Sequence, residues 1–248
     1  MSFVIIDLFN TDHVDHNDVG GKAYNIHKLY MAGLPVPRVV VVRPDYGDLD
    51  KVMGAIGSLK WINSEKVYAV RSSGVGEDSK EKSWAGIFES YLFIHIDDIS
   101  YHIKKVVSSM ESSRYKNYSL SSGVGIRNMA VIIQEMVHAD YAGVAFTVSP
   151  VETDDRIALI EVVEGVGESL VSSQKTPATL RINKITNMAR IQQVGDDSIN
   201  EEVLLKIADA LMPYLHKIEA LYGCPMDVEW AIRNNEVFIL QARPITTV

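Results

Sequence analysis

MDVEWAIRNNEVFILQARP, residues 226–244, holds two runs in which apolar and polar residues alternate, on either side of Arg233-Asn234-Asn235. Alternation with a period of two is the mark of a half-buried strand, so the segment reads as a closing β-hairpin. Asp227 and Glu229 share one face of the first strand, while Met226, Val228 and Trp230 share the other. Gln241 and Arg243 repeat that spacing on the second strand, and an odd number of loop residues, such as three, brings all four polar groups to one face. Such a face offers two carboxylates and an amide oxygen to a hard cation, and a guanidinium fork to a phosphate, which fits Mg²⁺ with a nucleoside triphosphate. The plainer reading is a surface hairpin with an ordinary Asp-Arg cross-strand pair.

Upstream of the hairpin, Val203, Leu204, Ile207, Ala210, Leu211, Tyr214 and Leu215 form a helical stripe. Strands are expected at Val39 to Val42, Val67 to Val70, Ala130 to Ile133, Gly143 to Val148 and Ile157 to Val162. Helices are expected around Ala23 to Tyr30 and Ile99 to Met110. Interspersed helices and strands imply an α+β or α/β fold. A soft boundary in the Ser- and Gly-rich stretch 119–128 divides the chain into lobes of residues 1–128 and 129–248.

With 248 residues, 47% of them hydrophobic, the chain can bury a full core, and disorder or a coiled coil is excluded. Its 24 basic against 32 acidic residues give a net charge of -8, which opposes a nucleic acid or an anionic membrane as partner. The single cysteine, Cys224, excludes an internal disulfide and a cysteine zinc cluster. No secretory signal or spanning apolar run is visible, so a cytoplasmic location is expected. An anionic ligand then needs a small, local cluster of cations. Gly20-Gly21-Lys22 opens a helix, whose backbone N–H groups favour an anion, though it is not a Walker A loop and also reads as a plain helix start. Arg71-Ser72-Ser73 follows a short apolar strand and leads into a polar loop that also reads as simply solvated.

Taken in chain order, five segments resemble the ATP-grasp nucleotide-binding domain of the phosphoenolpyruvate synthase and pyruvate phosphate dikinase family, which includes rifampin phosphotransferase. They are GGKAYNIHKLYMAGLPVP, VRSSGVGEDSKEKSWAG, IIQEMVHADYAGVAFTVSPV, GVGESLVSSQKTP and YGCPMDVEWAIRNNEVFILQARPIT. The resemblance implies two lobes with a nucleotide cleft between them and ATP with Mg²⁺ as ligands. Lys22 and Arg71 would contact phosphates, with Ser83 and Gly86 in a loop covering them. Gln134, Glu135, Met136 and Val137 would face adenine. Glu229 and Gln241 would hold Mg²⁺, with Asp227 beside them binding ribose or supporting the metal, and Arg243 would stabilise the transferring group.

Glu135, Ser173 and Ala178 depart from the family's usual residues, and none of the seven histidines lies in the family's phosphohistidine motif. The resemblance therefore implies a phosphotransferase module that hands a phosphoryl or pyrophosphoryl group to a histidine on another domain or partner. A kinase or ligase acting on a small molecule, and a non-catalytic nucleotide-binding regulatory subunit, are the alternatives.

Overall fold

The computed structural model describes residues 4–75, 88, 90–113, 115–116, 128–152, 154–166 and 175–245. The chain divides into two compact units. One comprises Met1–Met31 with Pro37–Met136, the other Ala32–Val36 with Val137–Val248.

The first unit contains β1 (Ile5–Asp7), α1 (His16–Met31), β2 (Val39–Val42), α2 (Leu49–Gly57), β3 (Tyr68–Gly74), β4 (Ser90–Ile94), α3 (Ile99–Ser108) and β5 (Met129–Glu135). Its sheet runs β1-β2-β5-β3-β4, with every pairing antiparallel. β2 and β5 are apolar without alternation because helices cover both of their faces. Val40, Val42, Val131 and Ile133 pack with Val52 and Ile56 of α2 and Ile99, Ile103 and Val106 of α3. Val39, Val41, Ala130 and Ile132 pack with Val19, Ala23 and Ile26 of α1. Each such fully buried aliphatic side chain contributes roughly 1.5–3 kcal/mol before chain entropy is charged against it.

The second unit contains β6 (Tyr141–Phe146), β7 (Ile157–Glu164), β8 (Ala178–Asn183), β9 (Met188–Gln193), α4 (Glu201–Tyr222), β10 (Met226–Arg233) and β11 (Glu236–Pro244). Its all-antiparallel sheet runs β11-β10-β6-β7-β8-β9. α4 starts at Asn200, whose side chain accepts the Glu202 N–H, and stops at Gly223, whose φ of 66° suits a left-handed cap. It buries Leu204, Ile207, Leu211, Leu215 and Ile218.

The boundary expected between residues 128 and 129 is displaced. β5 is the middle strand of the first sheet, held between β2 and β3, so the division follows Met136. Residues 32–36 join the second unit, where the Pro35 carbonyl accepts the Ile239 N–H at 2.8 Å along the edge of β11. The stretch between the β2 and β3 strands, from which no helix was expected, carries α2, capped by the Asp48 side chain on the Asp50 N–H.

Candidate functional site

In the first unit, Gly20 adopts φ 74° and ψ 171°, a non-helical bend inside α1. A Cβ there would overlap the Ser73 carbonyl, so glycine is what allows α1 to lie against β3. That contact joins two segments 50 residues apart. The Ala23 N–H donates to Ser73 Oγ at 3.1 Å, and Lys22 Nζ donates to Ser72 Oγ at 3.2 Å. The serine hydroxyl thus serves the restarted helix as a cap borrowed from a neighbouring strand. Arg71 Nη1 donates to Gln134 Oε1 at 3.4 Å, and Gln134 is buried on β5. Lys22, Arg71 and Gln134 therefore belong to one connected region of this unit.

Of the segment expected to meet adenine, the Glu135 N–H donates to Arg38 O at 2.9 Å and the Met136 N–H to Val67 O at 3.1 Å. Their donors are spent on the fold. The Val137 N–H has no backbone acceptor among the described residues. The Glu135 carboxylate pairs with Lys66, which accounts for an acid at this position. Ser83 and Gly86, like Gly167, Glu168 and Ser173, lie outside the described residues.

In the second unit, β10 and β11 pair Asp227 with Arg243 and Glu229 with Gln241, which places the four side chains on one face. The expected three-residue loop is absent. Asn234 and Asn235 make a two-residue turn, with φ of 50° and 65°, as the primed hairpin turns require. An even turn alone would set Leu240 opposite Glu229. A register shift between Glu229 and Trp230 inserts Leu240 as an extra residue and restores the shared face.

Arg243 donates to Asp227 Oδ2 through Nε at 2.8 Å and Nη2 at 2.6 Å. Burial pushes the Asp227 carboxyl above the usual aspartate range and the charge of Glu229 adds to this, while Arg243 pulls the other way without cancelling it. Gln241 is 3% exposed, and its Oε1 is buried with no hydrogen-bond partner among the described residues. An acceptor left bare in this way is costly unless a ligand satisfies it.

Glu161, which the sequence reading passed over, also belongs to this face. Glu229 pairs with Val144 on β6, and Val144 pairs with Glu161 on β7. Burial raises its carboxyl, and Asp227 raises it further. The available signal was an acid, Glu161, in the middle of the apolar strand IALIEVVE, which ends in a second one, Glu164. Among the described residues no three His, Cys, Asp or Glu side chains converge on a common metal position. A cation here must therefore draw on the Gln241 amide and on ligand oxygens, and the orphaned Oε1 beside Glu229 fits that demand.

Two antiparallel-sheet units, one with a glycine-bent helix on an Arg-Ser-Ser strand and one with a polar hairpin face, have the ATP-grasp architecture. A dinucleotide-forming acetyl-coenzyme A synthetase 1 from Ca. Korarchaeum cryptofilum shares the fold, with TM-score 0.53 at 6% identity over 90% of this chain and 91% of that one. The chain belongs to the family of the pyruvate phosphate dikinase AMP/ATP-binding domain, whose model matches residues 49–248. It is similar to the prodigiosin synthesizing transferase PigC of Serratia marcescens (28% identical, 98% of this chain, 33% of the relative). It is also similar to a probable phosphoenolpyruvate synthase of Methanocaldococcus jannaschii (30%, 96% and 26%) and a rifampicin phosphotransferase of Bacillus cereus (28%, 81% and 26%). The chain thus spans about a quarter to a third of the length of these relatives. No helix of the described residues is long and apolar enough to cross a membrane.

Proposed function

We propose that the chain is the ATP-binding half of a phosphotransferase of phosphoenolpyruvate synthase type. In this reading it takes a phosphoryl or pyrophosphoryl group from Mg-ATP and delivers it to a histidine on another domain or a partner. The observation that carries the reading is the hairpin face, where Asp227 fixes Arg243 and the bare Gln241 Oε1 stands beside Glu229. Phosphoryl transfer asks little covalent chemistry of a protein; it needs alignment of the reactants and neutralisation of charge on the moving group.

Glu229 and Gln241 supply oxygens that would hold Mg²⁺, which when bound neutralises phosphate charge. Arg243, gripped by Asp227 through Nε and Nη2, is pre-oriented to stabilise the group in transfer. This assigns Asp227 to positioning the guanidinium. Lys22, steadied by Ser72, and Arg71, steadied by Gln134, bind phosphate oxygens. The Val137 N–H is the backbone donor for adenine.

The similarity to transferases that differ in acceptor keeps direct transfer to a small molecule as the second reading. Incubation with Mg-ATP and candidate acceptors, followed by phosphorus NMR, separates the two. AMP together with a phosphorylated histidine partner is expected; ADP as the sole nucleotide product points to direct single-phosphoryl transfer. Absence of any Mg-dependent ATP binding overturns both.

A further inference from the structure

Glu161 is a carboxylate that the assigned roles leave unused. It projects from β7 on the face that carries Asp227, Glu229, Gln241 and Arg243, separated from Glu229 by the single strand β6. Val144 lies between it and Glu229, and Leu159, two residues earlier on β7, pairs with Phe146 in the row that contains Asp227. Its setting is therefore apolar on one side and anionic on the other. Among the described residues no hydrogen-bond donor or cation partners its carboxylate. Thr179, its register partner on β8, does not donate to it.

Besides Arg243, which is held by Asp227, this face carries Arg181, the register partner of Leu159, and Arg190 beyond it; Arg181 is held by Glu152, and none of the three guanidiniums bonds Glu161. The bare Gln241 Oε1, on a residue 97% buried by its 3% exposure, independently marks the face as one that awaits a donor or a cation. Glu161 does not share a cation position with Asp227 and Glu229, since no such trio converges. Two strand spacings, roughly 10 Å at the backbone, separate it from Glu229. That span is comparable to the reach of a nucleotide from its terminal phosphates to its sugar.

We propose that Glu161 is a nucleotide-recognition residue that accepts hydrogen bonds from the vicinal hydroxyls of the ribose, while Arg243, and the Mg²⁺ that Glu229 and Gln241 would hold, take the phosphates. A carboxylate offers two acceptor oxygens to two adjacent O–H donors, and its attachment to a sheet strand, not a loop, fixes its direction. The inference rests on the ATP reading above and deepens it by assigning the sugar.

Calorimetric titration of the full chain and of Glu161→Gln with ATP, 2′-deoxy-ATP and 3′-deoxy-ATP at constant Mg²⁺ tests it. The unaltered chain is expected to bind either deoxynucleotide about 10-fold more weakly than ATP, the effect of losing one hydrogen bond to a charged acceptor. In Glu161→Gln that discrimination should shrink to about 3-fold or less, with the Mg²⁺ requirement unchanged and the thermal midpoint retained. Equal discrimination in both proteins overturns the assignment while leaving ATP binding intact. A displaced Mg²⁺ requirement with unchanged sugar discrimination overturns it in favour of a cation role. Failure of the unaltered chain to bind any of the three nucleotides removes the ATP reading itself.

Discussion

Gly20 sits at φ 74° with the Ser73 carbonyl where a side chain would begin. Gly20→Ala is therefore expected to cost about 1–3 kcal/mol in a denaturant melt and to weaken ATP binding, because the bend that sets Lys22 beside Ser72 is lost. A second residue-scale expectation concerns Arg243. Its replacement by Ala should leave nucleotide affinity within a few-fold but slow transfer by at least about 100-fold, the scale of losing one preorganised donor. Single-turnover rates beside equilibrium binding check this, and equal losses in both would assign Arg243 to ground-state binding. At this scale the sequence was informative about residues two apart on one strand, since Asp227, Glu229, Gln241 and Arg243 obey simple alternation. It was uninformative about Glu161, because an acid in the middle of an apolar strand shows its face only when its register partners are known.

Between elements, the shared polar face of the hairpin depends on how one supernumerary residue, Leu240, is accommodated as a bulge. With Asn234 and Asn235 as a two-residue turn, deletion of Leu240 removes the bulge and sets Gln241 opposite Glu229 in unbroken register, so Gln241 and Arg243 keep the shared face. Nucleotide binding should therefore survive that deletion, within about 10-fold, and a substitution of Asn235 by Gly, which also tolerates positive φ, should be neutral in the parent chain. ATP titration reads both. The bulge was not legible in VFILQ, where every residue suits a strand; parity had suggested a longer loop, and the structure met the same geometric demand inside β11. Likewise β9 escaped recognition because Met188–Gln193 is polar and largely exposed, so no burial pattern reveals it. In β6, a Cβ on Gly143 would overlap the Glu161 carbonyl and crowd Trp230. Gly143→Ala should part β6 from β7 and lower the thermal midpoint by several degrees or more.

For the whole molecule, chain length allowed one large domain or two lobes and the Ser- and Gly-rich stretch favoured two, but the division fell eight residues later than that stretch implied. The Ser- and Gly-rich stretch at 119–128 precedes a core strand of the first sheet and does not link the units. Global stability should depend on pH partly through Asp197. Its hydrogen bond with Lys175, followed by the Glu164 N–H, holds the carboxyl below the usual aspartate value. A lowered carboxylate stabilises the fold above its unfolded pKa, near 3.9, and that contribution disappears as pH falls through the folded value. Asp197→Asn should therefore be less stable than the parent at pH 7, with the gap closing as pH drops below about 4. A gap constant from pH 7 to pH 3 would assign the cost to neutral hydrogen bonding alone.

The claim on which the functional account stands is that the face built by β10 and β11 holds a cation together with a nucleotide. Calorimetric titration of ATP with and without Mg²⁺, into the parent chain and into Glu229→Ala, addresses it most directly. The account predicts that Mg²⁺ strengthens binding at least about 10-fold in the parent, and that this gain collapses in the variant while metal-free affinity changes little. Equal weakening of the variant with and without Mg²⁺, or a parent chain indifferent to the ion, would contradict it.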